Sequence, residues 1–528
     1  MKYVRHVSTR VTPQREAIPG SMQVKNSAGG YAFPVDDWIR LDRFLILGSE
    51  GGSYYAGERA LTRENAEAVL RCIKQDGPKA VKRIRDISHS GRAPRNDPAI
   101  FALAMAAKLG DEPTRKAAFA AVPDVARTST HLFQFTEAVQ AFGGWGRATT
   151  RAVAGWYERE DVGELAYQAV KYRQREGWTH ADLLRLSHPK APSAAHRELY
   201  AWIVDGAMPS GEAEALKQIQ GFEQLQHAGD AAEAAKLIVQ HRLPREALPN
   251  QLLSEPDVWA ALLNDMPLTA MIRNLATMTR VGLVAPMAEA TRKVIAELRD
   301  RERIKRARVH PMAILAALKT YEQGRGERGK HTWTPVQQVV DALNGAFYLA
   351  FDNVEATGKR WLLGVDVSGS MAMGAVSGVA GMTPRVAAAA MALVTAATEP
   401  QHEIMAFQSS FVPLGISPRE RLDDLVRKTN NLQFGRTDCA LPMLYAMERK
   451  RKVDVFVVYT DSETWYGQIH PVQALQLYRE KMGIPAKLIV QAFVANRFSI
   501  ADPNDAGMLD VMGFDTSVPS LIRDFAAN

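Results

Sequence analysis

Near residue 359 the chain changes its hydrophobic period, and no other feature restricts its fold as strongly. Over residues 38–351 apolar side chains recur every three or four positions, the repeat that lays them on one face of a helix. The clearest windows are 38–48, 64–74, 98–109, 132–142, 147–157, 164–172, 181–186, 197–204, 257–263 and 311–321. Helix breakers stand between windows, at Gly77-Pro78, Gly143-Gly144, Gly177, Pro189 and Pro256. Strand-like alternation is nearly absent, so this part reads as all-α. Short helices in succession point to a solenoid of helix pairs, although no strict sequence period marks the repeats.

Beyond Lys359 four short apolar runs rich in β-branched residues, 361–367, 403–407, 453–460 and 486–495, alternate with helical stretches at 384–398, 419–428, 440–450 and 471–482. That alternation describes a mostly parallel sheet with helices on both faces, a doubly wound α/β domain. Such sheets bind ligands at the carboxyl ends of their strands. Oxygen-bearing side chains gather there. The first run leads into Asp366-Val367-Ser368-Gly369-Ser370, a D-x-S-x-S pattern, and the third is followed by Asp461. Between them the loop Gly435-Arg436-Thr437-Asp438 opens a helix. A hard cation such as Mg²⁺ takes an octahedron of oxygens and keeps several waters. Asp366, Ser368, Ser370, Thr437 and Asp461 supply that chemistry and leave a vertex for a carboxylate or phosphate of a partner. By itself the D-x-S-x-S pattern says little, and its serines read equally as caps of the following turn. Its place at a strand end, with a later Thr and a later strand-end Asp, makes the set specific. A phosphoaspartate enzyme fits less well, because Ser368 stands where such a strand offers a second Asp.

Charge divides the chain at the same point. Residues 361–528 hold 15 basic and 17 acidic residues, a net of −2, which leaves 50 and 41, a net of +9, for residues 1–360. A polyanionic partner is therefore to be sought on the helical part. Cys72 and Cys439 are too few for a disulfide framework or a zinc cluster and suit a reducing compartment. The first twenty residues lack the apolar core of a secretory signal. The most apolar stretch, 386–398, is shorter than the roughly 18 residues of a membrane span. A cytoplasmic protein with no membrane partner is expected.

Several stretches are too particular to follow from composition. They are residues 26–55 (NSAGGYAFPVDDWIRLDRFLILGSEGGSYY), 171–190 (KYRQREGWTHADLLRLSHPK), 265–278 (DMPLTAMIRNLATM), 358–371 (GKRWLLGVDVSGSM), 435–443 (GRTDCALPM) and 459–465 (YTDSETW). Together they resemble the Ro ribonucleoprotein autoantigen family, from about residue 20 to the C-terminus and in that family's domain order; the Ala-rich chain looks like a bacterial member. Residues 361–528 resemble a von Willebrand A domain, whose metal-ion-dependent adhesion site has the arrangement read above. The resemblance implies an N-terminal extension (1–20), a TROVE domain (21–358) whose HEAT-type helical repeats close into a ring, and a von Willebrand A domain (359–528) that joins the ring's ends. It implies an RNA-binding protein rather than an enzyme. Such proteins bind small Y RNAs on the outer basic surface and take single-stranded 3′ ends of misfolded or precursor RNAs into a central hole. The roles implied are RNA quality control, processing or decay and stress survival, with exoribonucleases as partners. A ring closed on itself is expected to be a monomer.

The same resemblance places Lys171 and Arg175 on the family's Y RNA-contacting helix and matches His188 to a further contact. As i, i+4 neighbours Lys171 and Arg175 would share one helix face, with Arg173 adding charge nearby. His188 can hydrogen-bond RNA when neutral or pair with phosphate when protonated. Without the resemblance, the two cations read as solvated surface charges and His188 as a loop or cap residue. Three other basic stretches, 79–85, 301–308 (RERIKRAR) and 324–330 (GRGERGK), read either as RNA-facing or as solvated faces, with Asp300 and Glu302 pairing within their own helix. Trp145, Trp156, Tyr157 and Trp178 lie among basic residues and could stack bases, but their helical spacing favours a place in the core. Two other functions stand beside RNA binding. One is a metal-dependent module that recruits an acidic protein ligand. The other, a nuclease, lacks the two-metal clamp usual in such enzymes.

Overall fold

The computed structural model describes residues 11–26, 28–34, 37–47, 58–89, 96–159, 161–326, 331–373, 376, 381–407, 410–432, 437–460, 464–493, 498–512 and 518–527. Two short strands come first, β1 (Val24–Lys25) and β2 (Tyr31–Pro34), where the periodicity shows none. Helices then follow one another up to Leu349; eight of the ten predicted windows lie within them, 164–172 overruns its helix by Tyr172, and 38–48 ends at Gly48, outside the described residues. Window 98–109, for example, is the helix Asp97–Leu109, and 311–321 is Pro311–Glu322. Side-chain caps fix several starts: Asp111, Thr128, Asp161, Ser193 and Asp230 each accept a backbone N–H from the first turn. The expected breakers act as helix punctuation. Gly144 follows Ser129–Gly143, and Pro256 is the first residue of Pro256–Asn264. One interruption is a hairpin, β3 (Gln174–Arg175) antiparallel to β4 (Trp178–Thr179).

Successive helices pack mainly on their neighbours in the chain. Asp97–Leu109 lies against Ser129–Gly143, with Phe101 and Phe142 rings 5.2 Å apart. Lys217–Gln226 rests on Ala231–His241, which rests in turn on Pro256–Asn264. This is the packing of a helical solenoid.

The α/β part contains β5 (Trp361–Asp366), β6 (His402–Phe407), β7 (Phe411–Pro413), β8 (Val455–Thr460), β9 (Lys487–Ala492), β10 (Phe498–Ser499) and β11 (Met508–Met512). Six of them form one sheet in the order β11-β9-β8-β5-β6-β7, parallel throughout except for β7 at one edge. Every residue of β5 and β8 is buried, as strands covered on both faces must be. Chain order runs outward from β5 to β6 on one side and from β8 to β9 and β11 on the other. The switch point therefore lies between β5 and β8, where a crevice opens at the strands' carboxyl ends.

Both ends of the helical run meet this α/β domain. At the start, β2 pairs antiparallel with β10, Phe33 opposite Ser499 and Pro34 opposite Phe498. At the finish, the Tyr348 hydroxyl accepts the backbone N–H of Leu422 (2.9 Å), and Glu399 accepts from the backbone of Thr357 (2.7 Å) and Gly358 (3.2 Å). The chain is thus closed on itself, with the α/β domain as the joint. No helix among the described residues is long and apolar enough to cross a membrane.

Candidate metal centre and nucleic-acid interface

Asp366 ends β5 with its side chain fully buried. One carboxylate oxygen accepts the backbone N–H of Ser368 (2.8 Å) and the other the hydroxyl of Thr460 at the end of β8 (2.8 Å), so the two central strands jointly fix it. The loop that follows turns the hydroxyls of Ser368 and Ser370 toward each other, 3.1 Å apart. Two oxygens on adjacent vertices of an octahedron with bonds of about 2.0–2.1 Å stand roughly 2.9 Å apart, so this pair suits Mg²⁺. Thr437 is buried, and among the described residues its hydroxyl has no hydrogen-bond partner. An unbonded hydroxyl there is what a direct ligand would look like. Asp461, the fifth expected member, lies outside the described residues, as do Gly435 and Arg436. Among the described residues no cluster of three His, Cys, Asp or Glu side chains could hold a metal, so the set is one of hydroxyls around a carboxylate. Burial pushes the neighbouring Cys439 thiol far up, which keeps it protonated and out of competition as a ligand.

Two supports of this set escaped the sequence reading. Arg385, buried in the first turn of Pro384–Thr398, donates to the carbonyls of Val367 (3.0 Å) and Ser368 (2.9 Å) and to the Asn430 side chain (2.9 Å). Burial lowers its pKa and the Asp366 charge opposes that, so the two ions balance inside the fold. A lone arginine opening an alanine-rich helix was the available signal. The second support is the N-terminal segment. Gln14 donates to Asp438 (2.7 Å) and to the carbonyl of Ile469 (2.8 Å), and its side-chain oxygen accepts from Thr464. Asn26 donates to the carbonyl of Thr464 (2.7 Å). Burial holds the Asp438 carboxyl up at about 6, although Gln14 and the backbone of Ala440 bond to it. Residues 14 and 26 thereby grip both the loop that carries Thr437 and the loop that leaves β8.

The three expected RNA contacts are arranged differently from the sequence reading. Lys171 is the last residue of the helix Val162–Lys171, and Tyr172 already departs from helical geometry (φ −122°, ψ 64°). Arg175 belongs to β3, so the two do not share a helix face. The physical cause is the turn after Arg175. Glu176 (φ 52°) and Gly177 (φ 80°) both adopt the left-handed region, as the two central residues of a primed hairpin turn require. Glycine would cost a continuing helix about 1 kcal/mol. The hairpin also gains the Trp178–Trp145 stack (6.2 Å, 26°) and the capping box between Thr179 and Asp182.

The Lys171 amine sits 5.2 and 5.1 Å from the Tyr167 and Tyr172 rings and donates to the Tyr167 hydroxyl (3.2 Å). Arg175 is exposed and pairs with the adjacent Glu176 (3.1 Å), a contact worth little in water. His188 is exposed at the far end of the helix His180–Ser187, in a left-handed cap (φ 48°, ψ 54°). The near end of that helix is held at the buried His180, whose ring bonds the Tyr157 hydroxyl (2.7 Å). Eight residues of helix set His188 about 12 Å along from there.

Comparison with known proteins decides what these parts belong to. The TROVE domain model matches residues 24–238 and 230–320, and the Ro60 vWA domain model matches 360–526. The RNA-binding protein RO60 of Deinococcus radiodurans is 45% identical over 525 residues, 99% of this chain and 98% of that protein. The chain belongs to the Ro family. The RNA-binding protein RO60 of Caenorhabditis elegans is 36% identical over 594 residues, covering 98% of this chain and 92% of its own. The crystal structure of the Deinococcus radiodurans RO (RSR) protein superposes with a TM-score of 0.77 at 45% identity, over 93% of this chain and 99% of that one.

In this Ro-family chain stretch 79–85 is largely neutralised by carboxylates, and stretch 301–308 in part. Arg83 is bonded to Asp42 (2.7 Å), Lys82 to Asp86 (2.6 Å), and Arg85 lies 4.0 Å from Asp124. The Lys79 amine lies 4.2 Å over the Trp38 ring. Arg301 pairs with Asp352 and Arg303 with Glu297, partners from other elements, while Asp300 caps the helix Arg301–Arg306 instead of pairing within it. Stretch 324–330 falls partly outside the described residues. Trp156 and Tyr157 are core, bonded to the Ala126 carbonyl (2.7 Å) and to His180 (2.7 Å), as their spacing suggests. Trp145 and Trp178 are only half-buried, stacked on each other beside the hairpin.

Proposed function

We propose that this protein is a non-catalytic RNA-binding scaffold of the cytoplasm, acting as a monomer. The observation that carries the reading is the match, over the whole chain and in domain order, to proteins named for RNA binding. Position comes from the cations around the hairpin. Lys171 and Arg173, unlike Arg83, Arg85, Arg301 and Arg303, have no carboxylate partner among the described residues. With Arg175 and His188 they form the outer contact for a small structured RNA of the Y class, while the closed helical run takes single-stranded 3′ ends of misfolded or precursor RNAs. The resulting roles are RNA quality control, processing or decay and stress survival, with exoribonucleases as partners.

The test is to crosslink and sequence RNA that co-purifies with wild type and with a Lys171→Ala, Arg175→Ala, His188→Ala variant. One abundant structured RNA lost in the variant is the expected result. Fragments with free ends that persist in the variant would mark a separate second site. No RNA above a non-binding control would overturn the reading.

A second reading concerns the α/β domain. Ser368, Ser370, Thr437, Asp366 and Asp461 would hold Mg²⁺ and present a vertex to an acidic side chain of a protein ligand. The unbonded Thr437 hydroxyl and the 3.1 Å serine pair favour it. Calorimetric titration with Mg²⁺ checks it, and a Thr437→Val variant that binds Mg²⁺ as well as wild type would remove this threonine from the site.

A further inference from the structure

We propose that the cavity beside Lys171 is a pocket for one unpaired nucleotide of a bound RNA, preferring a base that carries an amino group. The proposal rests on the RNA-binding reading above and adds to it a second element of recognition. The cavity encloses ≈ 550 Å³ between the helix that ends at Lys171, the end of Ala231–His241 with the turn after it, and the helices Pro256–Asn264 and Leu268–Arg280. That size lies in the ordinary range of small-ligand sites.

Three cations reach it: Lys171, Arg242 and Arg245. Among the described residues none of them has a carboxylate within ion-pair distance, whereas Arg71, Arg83, Arg301, Arg303, Arg360 and Arg479 all do. Two of the cations are also held in place: Lys171 is anchored on Tyr167, and the Arg245 guanidinium lies 5.7 Å over the Trp259 ring. Unpaired, positioned cations are what a phosphate needs, and an arginine plane fixed over an aromatic ring can stack a base.

The interior suits the base itself. Leu262, Ala261 and Ile238 line it with apolar surface, and Tyr167 contributes a ring. Such a lining gains from receiving an unstacked base and gains nothing from a paired one, whose faces are already covered. Two carboxylates, Glu246 and Asp265, also border the cavity. They would repel a phosphate placed beside them but accept hydrogen bonds from exocyclic amines. The Asn274 amide nitrogen is used by the Ala270 carbonyl (2.9 Å), which leaves its oxygen as a further acceptor. On the side away from the cations the polar groups are acceptors, so the amino groups of adenine, cytosine and guanine suit it better than uracil, which offers a single ring N–H. Cations mark the phosphate side and carboxylates the base side of one nucleotide.

The experiment uses two fluorescent RNA hairpins, identical except that one carries a single bulged adenine, and reads binding by anisotropy at about 0.15 M salt. Wild type is expected to prefer the bulged hairpin on the order of tenfold, the scale of one base contact, and to lose most of that preference when the bulge is uracil. Ala270→Trp, which fills the cavity without removing charge, should erase the preference yet leave affinity for the fully paired hairpin unchanged; thermal melting verifies its fold. The Arg242→Ala, Arg245→Ala double variant should erase the preference as well. Equal binding of both hairpins by wild type overturns the pocket while leaving RNA binding intact. Binding of neither hairpin overturns the underlying reading and the pocket with it. A pocket that takes free adenosine monophosphate without distinguishing the hairpins overturns the assignment to RNA.

Discussion

At Asp366 one buried carboxylate faces both the hydroxyls of its own loop and the charge of Arg385. Substitution can separate these duties. Asp366→Ala leaves a buried guanidinium without its balancing ion, and breaking such a pair costs on the order of 3 kcal/mol. Thr437→Val removes only an unbonded hydroxyl, so its effect on stability should stay below about 1 kcal/mol. Urea denaturation without added metal should therefore rank Asp366→Ala far below Thr437→Val; equal midpoints would show that Asp366 does not balance Arg385. Experiments on the metal are thus better done with Thr437 than with Asp366. Buried histidines give a second prediction at this scale. Burial holds His131, His180 and His310 down to about 4, with Arg127 adding to the effect at His131. The unfolded chain takes up these protons first, near pH 6.5, so their contribution is complete above that value and is lost as pH falls toward 4. His310 also caps the helix Pro311–Glu322 by accepting from Met312 (3.1 Å), which requires a neutral ring nitrogen. His310→Asn keeps a cap acceptor and removes one titrating group. Its melting temperature should fall less steeply than that of wild type between pH 6.5 and 4.5, and parallel curves would refute the assignment.

Among the elements, the hairpin β3–β4 determines where Arg175 stands, and its turn depends on Gly177 at φ 80°. Gly177→Val forces a β-branched residue into the left-handed region and should cost about 1–2 kcal/mol. It should also weaken binding of a structured RNA, because Arg175 loses its position. His188 provides the control. Its backbone is left-handed too, so His188→Gly should hold stability while lowering RNA affinity, whereas His188→Val should lower both. Denaturation melts beside anisotropy titrations measure the two effects separately; unchanged RNA affinity in His188→Gly would remove this side chain from the interface. The same hairpin marks the limit of reading the sequence. Long amphipathic windows such as 98–109 and 311–321 and the β-branched runs at 361 and 453 were legible, because one periodicity filled each of them. The hairpin was not, since its strands are two residues long and its turn is Glu-Gly, where Asn-Gly or Asp-Gly is the usual signal. Strands β1 and β2 were missed for a related reason. Strand β2 is held by β10, more than 460 residues away, which no local pattern records, and β1, two residues long, pairs only with β2. The grouping of Asp366, Ser368 and Ser370 was legible because the end of one strand carries it. Arg385 and Gln14, which hold the loops of the site, act through tertiary contacts alone.

Across the whole molecule, closure and the candidate metal centre share a joint. Strand β2 docks the N-terminal segment on β10, and Gln14 and Asn26 tie it to the loop before Leu441–Glu448, which carries Thr437, and to the loop beyond β8. Gly30 makes that docking close: a side chain there would collide with the Thr464 carbonyl and lie 2.8 Å from the Trp465 Cα. Both obstacles are backbone, which cannot swing aside as a flexible side chain would. The opposite end of the helical run is held independently, by Tyr348 on Leu422 and by Glu399 on the backbone of residues 357–358. Gly30→Val should therefore release one joint and spare the other. The core of each domain is built without this segment's side chains except Phe33 and the flanking Ile18, so the helical and α/β parts should still melt cooperatively. The released N-terminal segment should become sensitive to protease, and small-angle scattering should report a larger radius of gyration as the closed chain opens. Because Gln14 and Asn26 would let go of the loops around Thr437, Mg²⁺ binding should weaken in the same variant. Asn26→Ala, which loses the bonds to the Thr464 carbonyl and from the Gly30 N–H but introduces no collision, should show a smaller change in the same direction. Protease patterns and a radius of gyration equal to wild type in Gly30→Val would mean that closure does not depend on this joint, and that the contacts at Tyr348 and Glu399 alone hold the two domains together.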